Sequence, residues 1–476
     1  MEKYDAIIVG SGPNGFAAAI TLQQRGLKTL LLEGGTTIGG GMRSKALTLP
    51  GFLHDVCAAV HPMAMASPFF RSLPLEAYGL RFTYAPYEAA HPLDDTDTVF
   101  LKRDLAETAN ALEEDAPYYH ELMSLVANEW EPLADDIMGP LRVPKNPILL
   151  AKFGLTAVQS ADAVARRFKT KRAQALWGGM AAHGIQPLTN YTTAAIGMVL
   201  SGVGHRYGWP IPVGGSQAIA DALAAYYKDL GGKIQTDFWL RDIKALPEHQ
   251  VLVLDLTPRQ LLAIDGLDLS SGYRQQLSRY RQGMGVFKID WALSEPIPYR
   301  DRRCREASTV HLGNTYEEIA ANEERTAKGE IVERPFVLLT QPSLFDASRA
   351  PDGKHTAWAY CHVPNGSLID RTNAIEMQVE RFAPGFRDVI LERSTLNTRE
   401  MEDYNPNYVG GDINGGIMDI FQLYTRPTRR LTPYRTSNKR VYICSSATPP
   451  GGGVHGMSGF HAAQTVLRDH FRDINS

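Results

Sequence analysis

Cysteine is scarce in this chain and never paired: Cys57, Cys304, Cys361 and Cys444 lie far apart, and no Cys-x-x-Cys occurs in the 476 residues. That pattern excludes a disulfide framework, a paired-thiol zinc site and a redox-active dithiol, leaving reduced thiols in the interior. Blocks of like charge are missing too. With 49 Lys and Arg against 52 Asp and Glu, nothing attracts a polyanion or pins the chain electrostatically to a membrane. The longer apolar runs, such as Ala194 to Val203, fall well short of the ~20 residues that a membrane span needs. No His-Glu-x-x-His and no nucleophile elbow occurs, so metal and serine chemistry are not indicated. Repeats and low-complexity tracts are absent. The first strand begins close to Met1, which leaves no room for a signal peptide, so the expectation is a cytoplasmic protein with peripheral membrane contact left open.

What the chain does have is a nucleotide-gripping segment near each end. The apolar strand Asp5-Ala6-Ile7-Ile8-Val9 runs into Gly10-Ser11-Gly12-Pro13-Asn14-Gly15 and an alanine-rich helix, and a second strand, Thr29 to Leu32, ends at Glu33-Gly34. A helix start offers unpaired N–H groups and the positive end of a dipole to a pyrophosphate. Gly10 permits the turn, Gly12 removes a side chain from the approach, and Gly15 lets helix and strand pack closely. Glu33 stands where a carboxylate can accept the two hydroxyls of an adenosine ribose, and its charge disfavours a ribose phosphate. Near the other end, Val441 to Cys444 leads into Thr448-Pro449-Pro450-Gly451-Gly452-Gly453-Val454-His455-Gly456-Met457-Ser458-Gly459 and another helix.

Three features favour FAD over NAD. Gly39-Gly40-Gly41-Met42-Arg43-Ser44 follows the acidic residue and can bring a fixed guanidinium to the pyrophosphate or the flavin. The C-terminal helix start at Gly456, Met457 and Ser458 can face the ribityl chain or the pyrimidine edge of the ring. No second Gly-x-Gly-x-x-Gly follows a strand, so a separate nicotinamide domain is not expected.

Between these ends, residues 91–204 read as a helical lobe broken by prolines and residues 261–405 as mixed strands and helices. The FAD-binding domain is therefore expected in three pieces, 1–90, 205–260 and 406–476, with the substrate lobe assembled from 91–204 and 261–405. Oligomeric state has no signal in the sequence.

The chain resembles the phytoene desaturase-like FAD-dependent oxidoreductases, in the branch that includes the pyridine nucleotide-disulfide oxidoreductase domain-containing protein 2 type. The resemblance covers nearly the full length. It rests on Gly10 to Gly15 with Glu33, Gly40 to Ser44, Gly208-Trp209-Pro210-Ile211-Pro212-Val213-Gly214-Gly215, Asn407-Tyr408-Val409-Gly410-Gly411-Asp412-Ile413-Asn414-Gly415-Gly416, and Pro449 to Met457. It implies an α/β FAD-binding Rossmann-type domain, glutathione reductase/amine oxidase-like, with an inserted α+β substrate domain and helical lobe. It also implies Leu240 beside the adenine and the C-terminal loop, from Ser446 onward, against the isoalloxazine. The carotenoid-processing relatives usually carry proline where this chain has His455, which puts carotene in doubt as the substrate.

The expected chemistry is hydride transfer to or from a C–C bond, as desaturation, saturation or isomerisation, in a hydrophobic, isoprenoid-like small molecule. Amine or alcohol oxidation is the alternative, and an FAD-containing interaction protein without catalysis is a third. The candidate catalytic residues are Lys288, which interrupts an apolar strand, and His455 within the flavin loop. His61, His183 and His205 occur among apolar residues as further pocket candidates, and Phe69, Phe70, Trp177 and Trp209 as slot residues. Pro147 to Phe153, flanked by Lys145 and Lys152, is the candidate for touching a bilayer.

Overall fold

The computed structural model describes residues 2–472. Five parallel strands form the nucleotide sheet, in the order Val441–Ile443, His249–Leu254, Tyr4–Val9, Thr29–Leu32 and Lys233–Gln235. Strands buried on both faces must be apolar at every position, and Ala6, Ile7, Ile8 and Val9 meet that demand. Ala6 and Ile8 face the helices Pro13–Gln23 and Met457–His470, while Ile7 and Val9 face Leu261, Ile264 and Tyr273. The segment after Pro258 thus belongs to the nucleotide sheet, which moves the expected boundary at 260/261 further along the chain. At the other junction, strand Tyr87–His91 lies in the second sheet, so that boundary falls a few residues earlier than 90/91.

The two helices that begin at the two motifs touch at backbone distance. A Cβ on Gly459 would lie 1.8 Å from the Asn14 carbonyl oxygen, so only glycine allows this crossing. Asn14 Oδ1 also accepts from the Gly459 N–H at 3.5 Å. The ends of the polypeptide converge.

The second sheet has seven strands, in the order Ile390–Leu396, Gly285–Leu293, His355–Val363, Val337–Thr340, Ala307–Leu312, Tyr87–His91 and Val99–Leu101. Side chains alternate across it. Phe287, Ile289, Ala359, Leu339 and Val310 form one apolar face under Ile375 and Val379 of helix Thr372–Phe382. The opposite face carries Lys288, Tyr360, Leu338 and His311 in a single cross-strand row, since Lys288 pairs with Tyr360, Tyr360 with Leu338 and Leu338 with His311. Helix Lys171–Ala181 covers part of this face, with Gly179 against the rings of His311 and His91. Between strands Lys233–Gln235 and His249–Leu254 the chain passes through a 3-10 turn, Ile243–Ala245.

A buried ion cluster ties the lobes together. Arg349, with 0% exposure, donates to Asp55 and Asp346 at 2.9 Å each. Asp55 in turn accepts from Ser44 Oγ at 2.6 Å and from the Ser216 N–H at 2.7 Å. Burial alone raises the Asp55 pKa, but the Arg349 charge and these hydrogen bonds hold it below the ordinary carboxylate value. Replacing Arg349 with Met strands two carboxylates in the interior, and a loss of about 3 to 5 kcal/mol is expected in urea unfolding. An unchanged unfolding midpoint would contradict this account of the cluster.

Candidate functional site: a dinucleotide cradle opening into the lobe

One cavity of about 910 Å³ runs between the two sheets. Its cradle is built by steric exclusion. Gly10 has φ +101°, and a Cβ on Gly15 would lie 1.8 Å from the Gly10 carbonyl oxygen, so neither position tolerates a side chain. Pro13 starts the helix at a position whose N–H has no intrahelical partner anyway, and the first turn holds no acidic residue. Gly40 closes onto Gly12, where an added Cβ would meet the Gly12 Cα at 2.9 Å. Two backbone segments, Gly10 to Gly15 and the turn at Gly40, therefore meet with no Cβ between them and present a small-surfaced helix start to the cavity, which fits a pyrophosphate.

Of the residues expected at the cofactor, Gly10, Gly12, Pro13, Asn14, Glu33 and Gly34 line the cavity. So do Gly40, Gly41, Arg43, Leu240 and Ser446. Gly15 lies beneath the loop. Met42 is in the core with 0% exposure, and Ser44 is spent on Asp55. Gly456, Met457 and Ser458 stand behind the lining as well: the Met457 N–H donates to His455 Nδ1 at 3.1 Å, and Ser458 Oγ donates to the Pro449 carbonyl at 3.1 Å. Gly453 and Val454 line the cavity in their place.

Glu33 differs from expectation in its partners. Its oxygens accept from the Ser11 N–H at 3.0 Å, Ser11 Oγ at 2.5 Å, the Gly35 N–H at 2.8 Å and Arg43 Nη2 at 3.0 Å. Four donors fill the acceptor sites of one carboxylate. A ribose hydroxyl must displace one of them, so Glu33 is also the clamp that joins the glycine loop to Arg43. Arg43 is held further by the Thr37 carbonyl at 3.0 Å.

Sequence reasoning missed three sets of contributors: a tryptophan, a pair of tyrosines and an acid. Trp239 packs over Gly34 beside Leu240 at the cavity end away from the lobe. Tyr404 Oη donates to the Gly40 carbonyl at 2.6 Å, and Tyr408 Oη lies against Gly41. The third is Asp255, at the end of strand His249–Leu254, whose carboxyl accepts from the Gly15 N–H at 3.0 Å and touches the would-be Cβ positions of Gly10 and Gly12. The signal available was an acid closing the apolar run Val251 to Leu254, the same pattern that marked Glu33.

The two catalytic candidates do not line the cavity. Lys288 is wholly buried and paired with Asp290, which also faces His54 at 3.5 Å. His455 is turned into its own loop, with Nδ1 taken by the Met457 N–H and Nε2 bonded to the Gly452 carbonyl at 3.2 Å. Burial lowers the His455 pKa to about 4. His61 and His183 do line the cavity, whereas His205 is spent on Tyr119 at 2.9 Å. Trp209 lines it; Phe69, Phe70 and Trp177 are core.

Burial pushes the Asp255 carboxyl up to about 7, against the Gly15 N–H and with help from the Glu33 charge. A raised carboxyl is neutral below that value and becomes an anion beneath the pyrophosphate cradle as pH rises through it. Dinucleotide retention is therefore expected to weaken roughly tenfold, or about 1.4 kcal/mol, between about pH 6 and about pH 8.5, and Asp255→Asn to flatten that dependence. Equilibrium dialysis of released flavin against pH checks it, and a flat wild-type profile would refute it.

Comparison with known proteins agrees with this geometry. Residues 8–73 match the NAD(P)-binding Rossmann-like domain family. The chain is 25% identical to pyridine nucleotide-disulfide oxidoreductase domain-containing protein 2 of Rattus norvegicus, across 98% of this chain and 94% of that protein. It is 22% identical to a lycopene-forming phytoene desaturase of Pseudescherichia vulneris, across 95% and 96%. Among solved structures, an oxidoreductase from Methanosarcina mazei superposes with a TM-score of 0.64 at 14% identity, covering 98% of this chain and all of that one. A putrescine oxidase superposes at 0.62 and 14% identity, covering 98% and 99%, which shows a shared fold. With a cradle that fits a dinucleotide and similarity to these relatives over nearly its whole length, the chain is an FAD-dependent oxidoreductase similar to the phytoene desaturases and to pyridine nucleotide-disulfide oxidoreductase domain-containing protein 2.

Proposed function

We propose that this oxidoreductase transfers hydride to or from a C–C bond of an uncharged, hydrophobic small molecule held between the cradle and the lobe sheet. One observation carries the reading. The lobe side of the cavity is lined by Met63, Leu200, Trp209, Leu338, Trp358 and Tyr360, and no carboxylate stands among them. Of the charged residues that line the cavity, Glu33, Arg43, Arg241 and Asp255 follow the cradle strands, while Asp403 stands on helix Thr398–Tyr404, which packs on lobe strands Gly285–Leu293 and Ile390–Leu396 and whose last residue, Tyr404, bonds the Gly40 carbonyl. An alkylammonium substrate lacks a counter-ion there, and leaving its charge unpaired in a buried slot is costly. Bound FAD supplies the hydride acceptor or donor. The chain's own part is to hold the substrate carbon over the ring and exclude water, which is what an aromatic and aliphatic slot does.

Anaerobic titration of the holoprotein tests this. The non-polar lipid fraction of a cell extract is expected to bleach the flavin, and putrescine or alkylamines to leave it oxidised. Bleaching by amines, with peroxide formed on admitting air, would replace this reading with amine oxidation.

Access from a lipid surface suits such a substrate. No helix among the described residues is long and apolar enough to cross a membrane. Helix Pro147–Ala157 nevertheless leaves Ile148 74% and Leu155 75% exposed, next in sequence to Val143 at 89%. We propose peripheral contact through this face. The double variant Ile148→Glu, Leu155→Glu is expected to abolish co-sedimentation with phosphatidylcholine vesicles while retaining FAD; equal sedimentation of both proteins would exclude the contact.

A further inference from the structure

The lobe side of the cavity is not uniformly greasy. Within it a line of three imidazoles runs from the cavity into the sheet. His183 lines the cavity and meets His311 through their Nε2 atoms at 3.0 Å. The rings of His311 and His91 lie edge to face at 6.1 Å, and both Nδ1 atoms converge on Gly179, where a Cβ would meet them at 2.6 and 2.8 Å. A side chain there would push the line apart. His91 Nε2 bonds the Asn314 carbonyl at 2.6 Å; a carbonyl only accepts, so that nitrogen carries the proton. Trp209, edge-on to His183 at 5.3 Å and 87°, fixes the outermost ring.

Burial pushes the pKa of His183 down to about 3 and that of His91 to about 4, and lowers His311 well below the ordinary value, with the neighbouring rings adding to the effect on His311. All three are uncharged at neutral pH. His183 Nδ1 has no hydrogen-bond partner among the described residues, although the ring is anchored at its other nitrogen and at its edge. Thr309, two residues before His311 on the same strand face, lines the cavity next to it. This is a polar point held on rigid elements inside an apolar slot, an arrangement that orients one end of a ligand.

We propose that His183 is a specificity-determining residue that hydrogen-bonds an uncharged polar head, a hydroxyl or carbonyl, on an otherwise hydrophobic substrate. The proposal rests on the hydrophobic-slot reading above and narrows it. A neutral imidazole fits such a head because it has one donor and one acceptor nitrogen and no charge to pair with a carboxylate. An alcohol or carbonyl pairs there at little desolvation cost, whereas burying it in a purely apolar slot leaves it unpaired.

The test uses the FAD-loaded protein and three probes, 1-octanol, n-octane and octanoate, with binding read from tryptophan fluorescence and flavin absorbance. The expected order is octanol at least tenfold tighter than either octane or octanoate. His183→Phe, which keeps an aromatic edge against Trp209, is expected to bring octanol down to the octane level without changing octane. His183→Gln, which keeps a hydrogen-bonding group, is expected to recover most of the difference. Octane binding more tightly than octanol in the wild-type protein would overturn the proposal while leaving the apolar slot intact. Octanoate binding best would overturn it on charge, and failure of both octane and octanol to bind would defeat the slot reading itself. Unchanged octanol binding in His183→Phe, with FAD content equal to wild type, would remove the role from this residue; a Phe variant that loses FAD hands the decision to the wild-type ranking and the Gln variant.

Discussion

Close backbone approach is the constraint on which the rest depends. A dinucleotide phosphate reaches unpaired N–H groups only where no Cβ intervenes, and this chain clears that space from several directions. Gly15 sits against the Gly10 carbonyl, Gly40 against Gly12, and Gly459 against the Asn14 carbonyl, each at a distance that a side chain would violate. The third contact binds the C-terminal helix to the N-terminal one, so the loop that ends in Val454 reaches the same cavity as the loop that begins at Gly10. A side chain on Gly459 would push the two helices, and with them the two ends, apart.

Around that cradle, acids do opposite work according to their neighbours. Glu33 is surrounded by four donors and serves as a clamp, joining the glycine loop to Arg43. Asp255 has a single backbone donor and little else, so burial drives it toward its neutral form. Both close a strand of the same sheet. Their difference comes from the loops above them, Ser11 and Arg43 in one case and bare glycine in the other.

The lobe sheet separates stability from chemistry by its pleat. One face, with Phe287, Ile289 and Leu339, is an ordinary apolar core beneath a helix. The other presents Tyr360, Leu338 and Thr309 to the cavity, with Lys288 and His311 in the same layer but held back from its surface. Arg349 then locks this lobe to the cradle through Asp55 and Ser44. That accounts for a serine in the glycine-rich run that does not line the cavity: it ties the cradle to the lobe through Asp55.

Local pattern was enough for the nucleotide sheet, its glycine loops and the acid at Glu33, because strand, turn and helix signals there lie within a few residues of one another. Even the wide gap between the two motifs was readable, since each announces a helix start by itself. Which side chains reach the cavity was decided by tertiary structure alone. Lys288 looked like an interruption in a strand and is neutralised by Asp290 two residues on; His455 looked poised at the ring and is consumed by its own loop. His183 acquires its setting from His311 and Trp209, whose distances along the chain no spacing rule encodes. A histidine's role depends on what fills its second nitrogen, and that partner is set by packing between segments that meet only when the chain has folded.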